Sequence, residues 1–224
     1  MKDYVDVVYN DKNRPISSYP DKLAKYLFDK YNFKKGQIII EPGCGRGEFL
    51  HGFHKLGLLC TGIDLSLKGA SISKEINFIG GINVEKDKWP FQDNSVDIIY
   101  SKSLIEHLYN PELFLLESKR VLKKGGKILC LTPDWESCYK KFYDDYTHRS
   151  PFTNLGFNQL FQICDFSESS IIKFRQLPIV WKYPFINLIC GFIAPFVPVR
   201  TQNKFLRWSR ELMLVGCAYK PISQ

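Results

Sequence analysis

Apolar residues along the chain fall into short runs separated by turn-forming and charged positions, and two periods alternate. Gln37–Glu41, Leu58–Asp64, Asn77–Asn83, Asp97–Ser101 and Lys127–Thr132 are nearly continuous apolar stretches, the pattern of strands buried on both faces. Between them, Glu48–Leu56 sets Phe49, Leu50, Phe53 and Leu56 at helical spacing, and Pro111–Lys123 does the same with Leu113, Leu116, Val121 and Leu122. Lys123–Gly126 supplies cations and glycines suited to ending that second helix. A helix near Thr153–Cys164, a strand near Ile171–Gln176 and a last strand near Glu211–Tyr219 follow. This alternation predicts an α/β fold, doubly wound, with right-handed crossovers.

Two segments stand outside the alternation. Residues 20–31 place Leu23, Tyr26, Leu27 and Phe28 at helical spacing behind a proline, predicting a helix that precedes the sheet and lids its site. Residues 178–210 are rich in proline and large apolar clusters and read as an irregular or interfacial cap. The chain is therefore expected to be a single domain, 1–224, with a helical extension over 1–35, a binding core over 36–177, the cap over 178–210 and the final strand within 211–224.

Charge and cysteine content narrow the setting. The net charge is +8, and residues 173–224 hold eight Lys or Arg against the single acid Glu211, which suggests an anionic partner. Seven cysteines with no C-x-x-C pair form neither a disulfide framework nor a zinc site, so a reducing cytoplasm is expected. The charged start, Met1–Asp6, has no apolar core of a signal peptide.

The candidate chemistry begins at Ile38–Phe49, where an apolar strand ends in Glu41-Pro42-Gly43-Cys44-Gly45-Arg46-Gly47 and opens a helix. Glycines allow a sharp turn and bare amides, and a helix N-terminus adds a favourable field, so a nucleotide site is expected at the carboxyl end of the strand. A dinucleotide fingerprint G-x-G-x-x-G needs Gly or Ala at position 48, which is Glu48 here. Seventeen residues beyond Gly47 the second strand ends in Asp64, followed by Leu65, which sets a carboxylate where a bound ribose would lie.

The E-x-G-x-G-x-G pattern resembles the cofactor motif of class I S-adenosylmethionine-dependent methyltransferases. The likeness continues through Trp89–Ile99, Ser103–Leu108 and Arg120–Gly126, in family order, over residues 37–165. It implies a Rossmann-like, mostly parallel seven-stranded sheet with an N-terminal helix and a C-terminal cap insertion, and S-adenosyl-L-methionine as cofactor. It also implies Glu41, Gly43, Cys44, Gly45 and Gly47 around the methionine end, Asp64 and Leu65 at the ribose, Asn83 and Val84 at the adenine, and Ser101 at the end of strand four. Asn83 departs from the more usual Asp, and Lys124 from the usual Pro.

Methyl transfer to a hydroxyl needs alignment, exclusion of water and removal of a proton. His107, after strand four, and His148, within Tyr143–Thr153, are the candidate general bases. Residues 144–153 and 210–216 are similar to methyltransferases of surface-glycan assembly, which implies O-methylation of a sugar hydroxyl. No metal is expected, since Asp134 alone sits where catechol-type enzymes carry their carboxylates. The absence of an Asn/Asp-Pro-Pro-aromatic turn after strand four and of a suitably placed Cys disfavours nucleic-acid base methylation. A small lipophilic acceptor such as a quinone, an RNA tracked by the basic C-terminal region, and a non-catalytic cofactor-binding module stay open. So does the destination of the apolar run Phe185–Val199, followed by Arg200, Lys204, Arg207 and Arg210: an anionic membrane surface at the inner face, the acceptor, or a second copy in a homodimer.

Overall fold

The computed structural model describes residues 15–70 and 72–223; the reading of Met1–Asp6 lies outside the described residues. Seven strands form one sheet: β1 (Ile38–Pro42), β2 (Leu59–Asp64), β3 (Asn77–Gly80), β4 (Val96–Lys102), β5 (Leu122–Pro133), β6 (Ser167–Arg175) and β7 (Leu212–Tyr219). Their order is β3-β2-β1-β4-β5-β7-β6, with β7 antiparallel to both neighbours and the remaining pairs parallel.

Because successive strand residues face opposite sides, the apolar runs feed two separate cores. Ile39, Ile98, Leu129, Leu131 and Val215 face α1 (Tyr19–Lys30) and α2 (Glu48–Lys55), meeting Leu23, Leu27, Leu50 and Phe53. Ile40, Ile99, Ile128, Cys130 and Leu214 face the other layer and meet Phe114 and Leu115 of α3 (Pro111–Val121) and Phe157 and Phe161 of α5 (Asn154–Ile163). Thr153 caps α5, its hydroxyl accepting from the Gly156 amide at 3.1 Å. A short α4 (Trp135–Cys138) follows β5.

Several boundaries differ from the sequence reading for identifiable reasons. Helix α1 is a packed layer helix rather than a lid: Leu23, Ala24 and Leu27 are buried, and a Cβ on Gly52 of α2 would stand 2.9 Å from the Ala24 Cβ. Helix α3 ends at Val121, and the lysines and glycines that follow join β5, where Gly125 (φ +72°) donates its amide to Lys220 O. Strand β3 stops at Gly80, and among the described residues the β2–β3 and β3–β4 connections contain no α-helix. Alternation of strand and helix is thus incomplete on this edge.

The cap over 178–210 is helical, not irregular: α6 (Pro178–Lys182), α7 (Ile186–Ile193) and α8 (Lys204–Arg210). It is pinned by Trp181, whose ring stacks on Tyr26 and Phe174 and whose Nε1 donates to Arg175 O at 2.7 Å. Asn203 caps α8 by accepting the amides of Phe205 and Leu206. Helix α7 buries Cys190 but leaves Leu188 (79%) and Phe192 (78%) in the open. No helix of the described residues is long and apolar enough to cross a membrane.

The close approach of α1 and α2 at Gly52 yields a stability test. Gly52→Val is expected to force the helices apart and cost about 1–3 kcal/mol, lowering Tm by several degrees in a thermal melt.

Candidate active site

The sheet reverses its winding between β1 and β4, and the loops leaving the carboxyl ends of these strands form the crevice where α/β folds bind ligands. After β1 the chain turns through Gly43 (φ +68°), Gly45 (+50°) and Gly47 (+78°), left-handed conformations that side chains resist, which explains the alternate glycines. Gly47 caps α2. The intervening Cys44 fills the space above Gly62, where a Cβ would lie 2.5 Å from its sulfur, and burial pushes its thiol far above the usual range.

Asp64 closes this turn. One carboxylate oxygen accepts the Gly45 amide and the other the Ser66 amide, each at 2.9 Å, and the residue is 1% exposed. The segment beyond it folds back, Ala70 donating its amide to Gly45 O at 2.7 Å, while Leu65 points outward. Glu41, in β1, is buried as well. Burial pushes its carboxyl well above the usual range against the opposing field of Lys102, and its Oε2 has no hydrogen-bond partner among the described residues. A ligand cation or N–H donor would find an acceptor there.

Asn83 and Val84 lie beyond the end of β3 and are drawn to the β2 end by the Ile82 amide, which donates to Asp64 O at 3.0 Å. Asn83 opens a turn, its side-chain carbonyl accepting from the Glu85 amide and its own amide donating to Asp87. Val84 is buried and its carbonyl accepts the Trp89 indole N–H. Ser101 is fully buried in β4. The sequence-predicted glycines, Glu41 and Asp64 therefore meet around one turn, with Asn83 and Val84 tied to it through the backbone.

The loop after β4 builds the second half of the crevice. Leu104 lies against Gly43, whose Cβ would stand 2.8 Å from it, so the two loops touch. A 3-10 turn, Ile105–His107, then carries Glu106 inward. Glu106 is 1% exposed; its Oε2 accepts from the Thr132 hydroxyl at 3.1 Å and its Oε1 meets no other described residue by hydrogen bond. Burial raises its carboxyl to about 7, against its own amide and Thr132. Its backbone carbonyl accepts the amides of Arg149 (2.7 Å) and Ser150 (3.0 Å), drawing the segment before α5 over the loop.

That docking brings together the two histidines, whose rings lie 4.7 Å apart. His148 Nδ1 lies 2.6 Å from Phe142 O and its ring packs on Phe142. His107 Nδ1 lies 2.9 Å from the Thr147 hydroxyl, which in turn donates to Asp145 at 2.6 Å. His148 also lines an open surface cleft with Lys141, Phe142, Asp144, Asp145 and Tyr146. Asp134, fully buried after β5, has its carboxyl raised by burial, with Lys173 Nζ 3.6 Å away. Sequence reasoning missed Glu106, Thr132, Asp145 and Thr147. Glu106 adjoins His107 in the motif, but its burial is a tertiary property.

Residues 40–130, the span from β1 into β5, match the family described as a methyltransferase domain. Among curated relatives, a ubiquinone biosynthesis O-methyltransferase of Maricaulis maris is 31% identical over 109 residues, 44% of this chain and 41% of that protein. The chain spans about half the length of the curated relatives it matches. Its fold superposes on a chain of the complex containing the Haloferax volcanii Trm112 methyltransferase activator (TM-score 0.74, 17% identity, 99% of both chains). It also superposes on the Haemonchus contortus phosphoethanolamine N-methyltransferase 2 solved with S-adenosyl-L-methionine (TM-score 0.64, 17% identity, 99% of this chain and 60% of that one). The fold is accordingly that of a Rossmann-like methyltransferase.

Because Asp64 satisfies two buried amides, Asp64→Ala is expected to cost about 2–4 kcal/mol in urea unfolding. Asp64→Asn, which keeps one acceptor oxygen, is expected to lose less.

Proposed function

We propose that the chain is an S-adenosyl-L-methionine-dependent methyltransferase that O-methylates a hydroxyl on a membrane-presented acceptor, a lipid-linked glycan being the preferred substrate. The observation that carries the cofactor assignment is the left-handed glycine turn at the N-terminus of α2, clamped by Asp64 and bordered by Glu41 Oε2, which has no hydrogen-bond partner among the described residues. In this reading Glu41 meets the ammonium of the methionine moiety, Asp64 and the neighbouring Leu65 backbone meet the ribose, and Asn83 and Val84 meet the adenine.

The transfer breaks the bond between the sulfonium and its methyl group, forms a carbon–oxygen bond, and releases the hydroxyl proton with the demethylated nucleoside. The Glu106–His107–His148 cluster, beside the glycine turn through Leu104, is the place where that proton is lost. Residues 144–153 and 210–216 support the glycan. The quinone-type acceptor is the second reading, favoured by the O-methyltransferase of Maricaulis maris among the relatives. The cap supports a membrane setting for either: Phe185, Leu188, Phe192 and Phe196 are each more than half exposed. No acid lies between Pro178 and Arg210, whereas Lys182, Arg200, Lys204, Arg207 and Arg210 do. Such a surface suits the boundary of an anionic bilayer.

Calorimetry is expected to show micromolar binding of S-adenosylmethionine and its demethylated product; tight NADH binding instead would reject the assignment. With labelled donor and a panel of lipid-linked glycans, quinone precursors and RNA, His107→Ala and His148→Ala should each lower turnover ~10²-fold with cofactor affinity retained. Sedimentation with anionic vesicles is expected at low salt, weakened at high salt and lost in Leu188→Asp/Phe192→Asp.

A further inference from the structure

We propose that Glu106, His107 and His148 form a divalent-cation site of the two-imidazole, one-carboxylate type, suited to zinc or a neighbouring first-row ion. One ligand atom from each of the three lies within 4.8 Å of the others. Bonds of about 2.0–2.2 Å to a shared ion put tetrahedral donors about 3.3–3.6 Å apart, so binding draws the three side chains together by roughly 1 Å.

The hydrogen bonds around the histidines set the tautomer a metal needs. A backbone carbonyl only accepts, so the contact of His148 Nδ1 with Phe142 O puts the proton on Nδ1 and the lone pair on Nε2. The Thr147 hydroxyl gives its one proton to Asp145, so toward His107 Nδ1 it accepts, and the His107 lone pair likewise falls on Nε2. Each imidazole thus donates its other N–H to an oxygen, the outer arrangement that orients metal-bound histidines. Asp145 anchors this shell through Thr147 and keeps its own carboxylate 3.9 Å from His148 Nε2.

Glu106 is the second, independent observation. It is a buried carboxylate held by Thr132 through one oxygen, while the other makes no hydrogen bond to another described residue. Lys102 supplies part of a compensating field. A dication bound to Oε1 and two neutral imidazoles offsets the cost of burying the carboxylate and leaves a net positive centre. The ion enters from the cleft that His148 lines, and three protein ligands leave a coordination position open. Resting on the methyltransferase reading, that position takes the acceptor oxygen and lowers the pKa of its hydroxyl, so the proton passes to solvent. The imidazoles then orient the ion rather than act as bases.

The full chain, stripped with a chelator, is titrated with Co²⁺ and with Zn²⁺. The expected result is one equivalent bound, with Co²⁺ developing the visible absorption of a four- or five-coordinate nitrogen–oxygen site. Glu106→Gln and His148→Ala should each weaken binding by at least ~100-fold, and Thr147→Val, which removes only the outer oxygen, by ~10-fold. Circular dichroism verifies that the variants fold, and His148→Gln serves should the alanine variant not. Absent Co²⁺ absorption, or binding that folded variants leave unchanged, would overturn the site. Calorimetry with S-adenosylmethionine on the same samples separates the two claims. Metal binding without nucleoside binding keeps the site and rejects the methyltransferase reading; nucleoside binding without metal does the reverse.

Discussion

Asp64 spends both carboxylate oxygens on backbone amides, Gly45 on the turn after β1 and Ser66 on the turn after β2, and does so almost out of contact with water. Charge-assisted bonds of this kind are strong, and a buried carboxylate left without them would be costly. The left-handed glycines accompany this clamp: the chain curls at Gly43 as it leaves β1, the Gly45 amide meets Asp64, and Gly47 caps α2. Gly62 is drawn into the same arrangement, because Cys44 occupies the volume a side chain there would need. The proposed donor end therefore rests on one acid and the backbone it holds.

The proposed acceptor end is built differently. Its residues come from the loop after β4, from Thr132 at the end of β5, and from a segment whose amides at Arg149 and Ser150 dock on the Glu106 carbonyl. Backbone pairing fixes the position of the segment, and the side-chain bonds of Thr147 and the Phe142 carbonyl orient the imidazoles. The two ends touch where Leu104 covers Gly43, which gives a physical reason for them to act on one bound pair of reactants.

The cap connects to the core on the α1–α2 side through aromatic rings rather than through hydrogen-bond ladders. Tyr19 at the start of α1 sits among Phe49, Trp181 and Trp208, and its hydroxyl donates to Gln176. This anchors α6 and α8 to the α1–α2 layer. Helix α7 is apolar except for the side formed by Asn187 and Gly191 and has too few neighbours to cover it, and its exposure follows from that imbalance.

What the sequence by itself determined is what local chemistry encodes. Apolar runs of strand length, glycines at alternate positions after a strand, and an acid at the end of the next strand specify a doubly wound sheet and its glycine turn without reference to distant residues. The same local signals overstate regularity: they extended β3 to Asn83, ran α3 past Val121 and assigned α1 to a lid, since boundaries and packing partners depend on neighbours that periodicity does not contain. The helices of 178–210 were hidden because proline punctuates the segment, although Pro178 at a first helical turn is compatible with a helix. Only the tertiary structure decided that Glu106 is buried, that His107 meets His148 across forty-one residues of chain, and that Thr132 and Thr147 complete their surroundings. Burial and tautomer are set by which strands lie adjacent and which amides dock on which carbonyls, and that information exists only once the chain has closed on itself.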